Sequence, residues 1–359
     1  MTINPQPLSL WEKVDLISGQ VAILGSALYN AVTGIFRGQT GAEGYSLHIG
    51  NAIARKLLSR LSTRHLQYLT GPTSYVYETQ MNKNGCQPES VTLKHGAQGH
   101  WIGNKNAKNV IIYYHGGGFA HSCVPGHISF LSRLINTLNA EGHDIALFLL
   151  TYTRTPHAAY PTQLRQAVEA LRYMLTEMHR DPSNVIVGGD SAGGNLALAV
   201  LLHLSHPHPE IEPLYDVAPL AGIVAFAPWV NFNHEGSTSM RENQYKDMIG
   251  SEILDLWSQL YLGGQGKEGD AWSEPNRAPM EWWKDAKLKV KEILFLTGRD
   301  EVLFDGIDGF VKKFQCVVPN TTYVIGYGET HVEPVYSASF IGNETAQGNA
   351  LREWLRSRL

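Results

Sequence analysis

At 359 residues, 43% hydrophobic and 10% aromatic, the chain can bury a large core as one elaborated domain. Its formal net charge of −4 leaves no basic field for nucleic acid, and no internal repeat, heptad run or low-complexity tract marks a fibrous or repeat architecture. Cys86, Cys123 and Cys316 are few, odd in number and scattered, which argues against a disulfide framework and for an intracellular compartment.

Met1 to Pro7 lack the basic region of a secretory signal, and Glu12 and Asp15 interrupt the chain before its apolar part, so the expected location is cytoplasmic. Residues 16–36 carry no charge and are as long as a membrane-spanning helix. Gln20, Asn30 and the small residues Ser18, Gly19, Gly25 and Ser26 interrupt that run. Its large residues Ile17, Val21, Leu24, Leu28 and Ile35 fall on one helical face, the pattern of a helix with one buried side. Peripheral docking at a membrane is the second reading of the segment, and a true span the third. Asn-x-Thr matches at Asn320 and Asn343 are expected by chance at this length.

Val110-Ile111-Ile112-Tyr113-Tyr114 reads as a buried strand that delivers His115-Gly116-Gly117-Gly118 to a sheet edge. Without side chains, Gly117 and Gly118 can bring their N–H groups close to a developing oxyanion. Leu164, Val168, Leu171 and Leu175 then mark one face of a helix. Val185-Ile186-Val187 reads as a second buried strand, followed by Gly189-Asp190-Ser191-Ala192-Gly193 and the helical run Asn195 to Leu202. Strand, sharp turn and helix are the context a Gly-x-Ser-x-Gly nucleophile requires. Gly189 and Gly193 are small where a side chain would collide, and Ala192 opens the helix with an N–H free to bind negative charge. His203, His206 and His208 lie at the exit of that helix among prolines and read as a solvated turn, not a metal cluster.

Between Trp229 and Ile293 lies an insertion with Tyr245, Trp257, Tyr261, Trp272, Trp282 and Trp283, helically spaced around Ile253 to Tyr261. Trp282 and Trp283 are expected to pack the insertion onto the core. The strand-like Ile293 to Thr297 ends in Gly298-Arg299-Asp300-Glu301, and the strand-like Thr322 to Ile325 is followed by Gly328-Glu329-Thr330-His331. With a serine nucleophile first in chain order, an acid and then a histidine must follow. His331 is the base by position, and Glu301 is favoured narrowly over Asp300 as the acid that orients it.

These motifs, His-Gly-Gly-Gly at 115–118 and Gly-Asp-Ser-Ala-Gly-Gly-Asn at 189–195, resemble the hormone-sensitive-lipase-like branch of the α/β-hydrolases, over roughly residues 75–358. Tyr152-Thr153-Arg154-Thr155-Pro156 with Tyr160-Pro161, and Ala227-Pro228-Trp229, are similar to further elements of that family. His331 stands where the family carries its catalytic histidine. Glu301-Val302-Leu303-Phe304-Asp305 matches its Asp-x-Leu-x-Asp spacing, with Asp300 one position early. His331-Val332-Glu333-Pro334 departs from the family's His-x-Phe and places an acid beside the base, where a changed polarity at the pocket mouth is expected. Asp190, as a family element, is expected to brace the turn through local hydrogen bonds.

The resemblance implies an α/β-hydrolase fold, a mostly parallel sheet flanked by helices. It implies N-terminal cap helices over 1–70, a catalytic core over 71–230 and 286–359, and a cap insertion over 231–285. It also implies a serine carboxylesterase acting on short- to medium-chain esters, such as an acetylated lipid or natural product, with no metal and no organic cofactor. Ser191, His331 and the acid would form the triad, and Gly117, Gly118 and Ala192 the oxyanion hole. A transesterase or acyltransferase with the same triad, and a non-catalytic ligand-binding relative, are the alternatives. The oligomeric state is not readable.

Overall fold

The computed structural model describes residues 7–337 and 344–359; Asn343 lies outside them. Among the described residues one mixed sheet holds β1 (Ser90–Thr92), β2 (Gln98–Ile102), β3 (Asn109–Tyr114), β4 (Ile145–Thr151), β5 (Val185–Asp190), β6 (Leu220–Phe226), β7 (Val290–Gly298) and β8 (Thr321–Gly326). Their order is β1-β2-β4-β3-β5-β6-β7-β8, parallel from β4 to β8 and antiparallel only at β1 and β2. The mostly parallel, helix-flanked sheet expected from the sequence is therefore present. Every residue of β3 and β5 is buried, as a strand covered on both faces requires.

The helices are α1 (Leu10–Thr33), α2 (Tyr45–Arg60), α3 (Thr63–Thr70), α4 (Thr73–Lys83), α5 (Pro125–Ala140), α6 (Thr162–Thr176), α7 (Ala192–Ser205), α8 (Thr238–Glu242), α9 (Ser251–Leu262), α10 (Met280–Lys287), α11 (Phe304–Val317), α12 (Glu333–Ser337) and α13 (Ala346–Arg356). The most buried is α7, whose residues from Ala192 to Leu204 are all enclosed. The parallel register brings the carboxyl ends of β3, β5, β7 and β8 to one edge, where such sheets place their sites.

The N-terminal segment is helical, but the face expected to be buried is the one in solvent. Ile17, Val21, Leu24, Leu28 and Ile35 are 60–69% exposed, while Leu16 and Gly19 face inward. The reason is close approach. A side chain at Gly19 would begin 2.5 Å from Leu61 Cδ2, so the small-residue face can lie against the end of α2 and the bulky stripe cannot. Leu8, Leu16, Leu61 and Leu66 form a small core of their own, and Arg60 pairs with Asp15 at 2.6 Å.

The histidines after the nucleophile helix also differ from expectation. His203 and His208 are buried, and His203 Nδ1 accepts the His208 N–H at 3.0 Å, because the last turn of α7 runs on inside the core. Burial pushes the His203 imidazole down to about 4. Among the described residues no group of His, Cys, Asp and Glu is arranged to hold a metal.

Trp283 is fully buried, with its ring against Phe310 and Phe314 at 5.6 and 5.2 Å, and Trp282 stacks on His206 at 4.3 Å. Both pack α10 onto the core, as the sequence suggested. Trp283→Ala should cost about 3–5 kcal/mol in urea unfolding. Turnover per folded molecule should change little.

Candidate active site

The chain leaves β5 at Asp190 and enters α7 at Ala192 through one residue, Ser191, at φ 54° and ψ −118°. A non-glycine residue held there stores about 1–3 kcal/mol of strain and needs its surroundings to impose it. They do: Ser191 N–H donates to Phe226 O at 2.8 Å, and Ser191 O accepts from Asn195 and Trp229 at 3.0 and 3.1 Å. A Cβ at Gly193 would stand 1.8 Å from Tyr114 O, and one at Gly189 2.4 Å from the same oxygen. Both glycines are thus demanded by the backbone of β3.

The second motif leaves β3 at Tyr114. Gly117 and Gly118 take φ 108° and 58°, and Gly117 O accepts from Ala120 and His121 N–H, closing a tight turn. His115 is wholly buried, with Nε2 at 2.9 Å from Thr73 Oγ1 and its ring stacked on Tyr152. Burial pushes it down to about 3, so it is a neutral strut. The Gly116 N–H is consumed by Asp190 Oδ1 at 3.0 Å. Those of Gly117, Gly118 and Ala192 donate to no acceptor among the described residues, and Ala192 is the first residue of its helix.

Asp190 does not act locally, as the sequence reading expected. Its Oδ1 accepts from Tyr113 OH and Gly116 N–H, both at 3.0 Å, and its Oδ2 faces His127 Nε2 at 3.2 Å. His127 Nδ1 accepts from Val124 N–H, which leaves the proton on Nε2 to donate to Asp190. Burial pushes the Asp190 carboxyl up, but His127 and the other donors outweigh it and hold it below its ordinary value.

At the ends of β7 and β8, His331 and Glu301 are both buried, with Nδ1 to Oε2 at 2.5 Å. Glu301 Oε1 takes the Gly298 N–H at 2.8 Å and the Thr297 hydroxyl. Asp300 is elsewhere: its carboxylate pairs with Lys246 at 2.9 Å. Burial pushes the His331 imidazole down, but the Glu301 hydrogen bond and the Glu301, Asp247 and Asp190 charges carry it above the ordinary histidine value. His331 Nε2 is buried and meets no partner among the described residues. Glu333, expected to change the pocket mouth, instead turns its carboxylate onto Thr330 N–H at 2.8 Å, and burial pushes it up to about 7.

Of the insertion aromatics, Trp257 and Tyr261 reach this region. Trp257 lies over the glycine turn, with Cε3 2.1 Å from where a Gly118 Cβ would stand, and Tyr261 stacks on Phe119 at 3.7 Å. Tyr245 is exposed. A cleft of about 530 Å³ lies along α9, lined by Phe232, His234, Asp255, Gln259 and Lys267 among others; neither Ser191 nor His331 borders it. Sequence reading missed Asp247, Asn243 and Asn51, whose partners lie 55 to 279 residues away and leave no local signal.

The family described as alpha/beta hydrolase fold matches residues 111–334, more than half of the chain. The chain is 30% identical over 202 residues to steryl acetyl hydrolase 1 of Saccharomyces cerevisiae, a match covering 54% of this chain but only 45% of that protein. It is 26% identical over 225 residues to an acetyl-hydrolase of Streptomyces hygroscopicus, covering 62% of this chain and 67% of that one. Among solved structures, a thermostable esterase from Pseudomonas putida superposes with a TM-score of 0.67 at 21% identity, covering 89% and 98% of the two chains. An esterase of the bacterial hormone-sensitive lipase family gives 0.66 at 22% identity, covering 88% and 99%.

The Asp190 contacts yield a direct test. Asp190→Asn would set an amide N–H against the His127 Nε2–H inside the core, and it should lower stability by about 1–3 kcal/mol in urea unfolding. An unchanged midpoint would contradict the assignment of the His127 proton.

Proposed function

Because the chain belongs to the α/β-hydrolase fold family, we propose that it is a serine carboxylesterase whose nucleophile, base and acid are Ser191, His331 and Glu301. The carrying observation is the buried Glu301–His331 pair with a free Nε2, at the same sheet edge as a serine held at φ 54°. His331 takes the hydroxyl proton as Ser191 attacks the ester carbonyl, and Glu301 stabilises the imidazolium. The N–H groups of Gly117, Gly118 and Ala192 hold the oxyanion; the ester C–O bond breaks as His331 gives its proton to the departing alcohol, and water, deprotonated by His331, then attacks the acyl-serine, releasing the carboxylic acid and returning the proton to Ser191. His115, Gly116, Gly189, Asp190 and Gly193 shape the two turns. The chemistry needs no metal and no organic cofactor.

The substrate we propose is an ester of a short acyl chain, acetyl above all, on an apolar alcohol. Three relatives bear names of acetyl hydrolases, and the indole of Trp257 stands close above Gly118. Residues 1–70 and 231–285 are read as the cap on a core of 71–230 and 286–359. Gln67 Nε2 donates to Ala120 O and Thr155 O, and Asn51 Nδ2 to Lys246 O, supporting that division.

We also propose that α1 rests on a lipid surface. Its outward stripe includes Leu10, Val14, Ile17, Val21, Leu24 and Leu28, with Trp11 near one end and Phe36 beyond the other. No charge interrupts it from residue 16 to 36. The helix is about 36 Å long and apolar enough to cross a bilayer by length and composition. Its inner face is held along α2, which favours lying in the interface over crossing.

Hydrolysis of p-nitrophenyl esters from acetate to dodecanoate should be fastest at acetate. Ser191→Ala should abolish it, and Glu301→Gln should lower kcat at least ~100-fold while Asp300→Asn stays within ~5-fold. Wild-type rates in Ser191→Ala, or a larger loss in Asp300→Asn, would overturn the assignment. In flotation with phosphatidylcholine vesicles the wild type should rise with the lipid, and Val21→Glu with Leu24→Glu should leave it at the bottom. Equal flotation of both would remove α1 from the contact.

A further inference from the structure

The histidine and its acid are held from outside the catalytic core by a carboxylate that belongs to the insertion. Asp247 lies between α8 and α9 and is wholly buried. Its Oδ2 accepts the N–H of Val302, next to Glu301, at 2.7 Å. Its Oδ1 accepts the N–H of Met248 at 2.7 Å and that of His331 itself at 3.4 Å. Asn243, on the same stretch, donates through Nδ2 to Glu301 O at 2.9 Å and Arg299 O at 3.1 Å. A second layer fixes this stretch from the N-terminal helices: Asn51 donates to Lys246 O and Thr330 Oγ1, and Arg55 to Asp247 O.

We propose that Asp247 is a positioning residue that sets both the place and the basicity of His331, so that docking of the insertion and α2 completes the catalytic pair. This rests on the reading of His331 as the general base. Backbone N–H groups on the acid loop and on the histidine loop converge on one carboxylate, so a shift of the insertion moves Glu301 and His331 together. A displacement of about 1 Å at a reacting group can cost ~100-fold in rate. The carboxylate also adds negative charge beside the imidazole, favouring its protonated form. The charged and titratable groups around Asp247 and His331 are Arg55 from α2, Glu301 on the acid loop, Glu333 on the histidine loop, Tyr336 on α12 and, facing His331, Asp190 at the end of β5. Burial, opposed by His331 and reinforced by Glu301, pushes the Asp247 carboxyl up to about 6.

The test is the pH dependence of kcat/KM for p-nitrophenyl acetate in the full chain. The wild type should lose activity as pH falls through a value above that of an ordinary imidazole, since His331 must be neutral to accept a proton. In Asp247→Asn an anion beside the imidazolium is gone and an amide N–H faces a backbone donor. Its acid limb should move to lower pH, and kcat should fall ~10- to 100-fold with KM within ~3-fold. An unmoved acid limb would overturn the proposal, whether or not kcat falls, because loss of turnover alone is what a fold-holding residue would show. If Asp247→Asn does not fold, Asp247→Ser decides: its hydroxyl oxygen can still accept the Val302 N–H while the charge is gone, so its acid limb should likewise move to lower pH, and an unmoved limb would overturn the proposal. Ser191→Ala is run alongside; full activity there would mean that the triad reading has failed, a result distinguishable from either of these.

Discussion

The Asp190 carboxylate joins the two turns on which the site depends. It lies at the end of β5, one residue before the strained serine, and it accepts the N–H of Gly116, one residue before Gly117 and Gly118. A buried anion satisfied by a backbone N–H, a tyrosine hydroxyl and a histidine N–H resists movement, because any shift strands a charge in the core. Ser191 and the proposed oxyanion donors are thereby held in one frame. The same frame requires β3 and β5 to approach until Gly193 nearly touches Tyr114 O, so the glycines and the carboxylate serve one geometry.

The other half of the site is less self-contained. Glu301 and His331 sit on loops beyond β7 and β8, and loops alone do not hold a side chain to a fraction of an ångström. Here the insertion and the N-terminal helices supply the missing restraint. The α9 helix sets Trp257 against Gly118, the 243–248 stretch binds the acid and histidine loops, and α2 binds that stretch in turn. Placing the helix with the exposed apolar stripe against α2 puts the surface proposed to meet lipid only two elements away from His331.

Much of this was legible in the residues. Buried strands read as continuous apolar runs, and the runs at 110–114, 185–187, 293–297 and 322–325 each became a strand of the sheet. Two glycine motifs behind strands, in that order, mark the elbow at Ser191 and the tight turn at Gly117 and Gly118 by local sterics alone. The choice between Asp300 and Glu301 was not local. Both follow the same strand, and their environments separate only once the chain has folded: Glu301 meets His331, 30 residues on, while Lys246 of the docked insertion takes Asp300. Helical periodicity in α1 identified a stripe of large residues but not its partner, and the small face around Gly19 won the packing because it allowed the closer approach. His203 and His208 read as polar turn residues, since nothing nearby in sequence announces that a helix end is enclosed.

The sequence by itself determined the fold class, the two turns and the order of the chemical groups, because those follow from periodicity, glycine sterics and chain order, all short-range. The tertiary structure decided which carboxylate meets His331, which face of α1 is left to solvent, and which residues of the 231–285 segment bear on the site. Those outcomes depend on contacts between segments 30 to 280 residues apart, whose energies are settled by packing distance and desolvation once the elements have met.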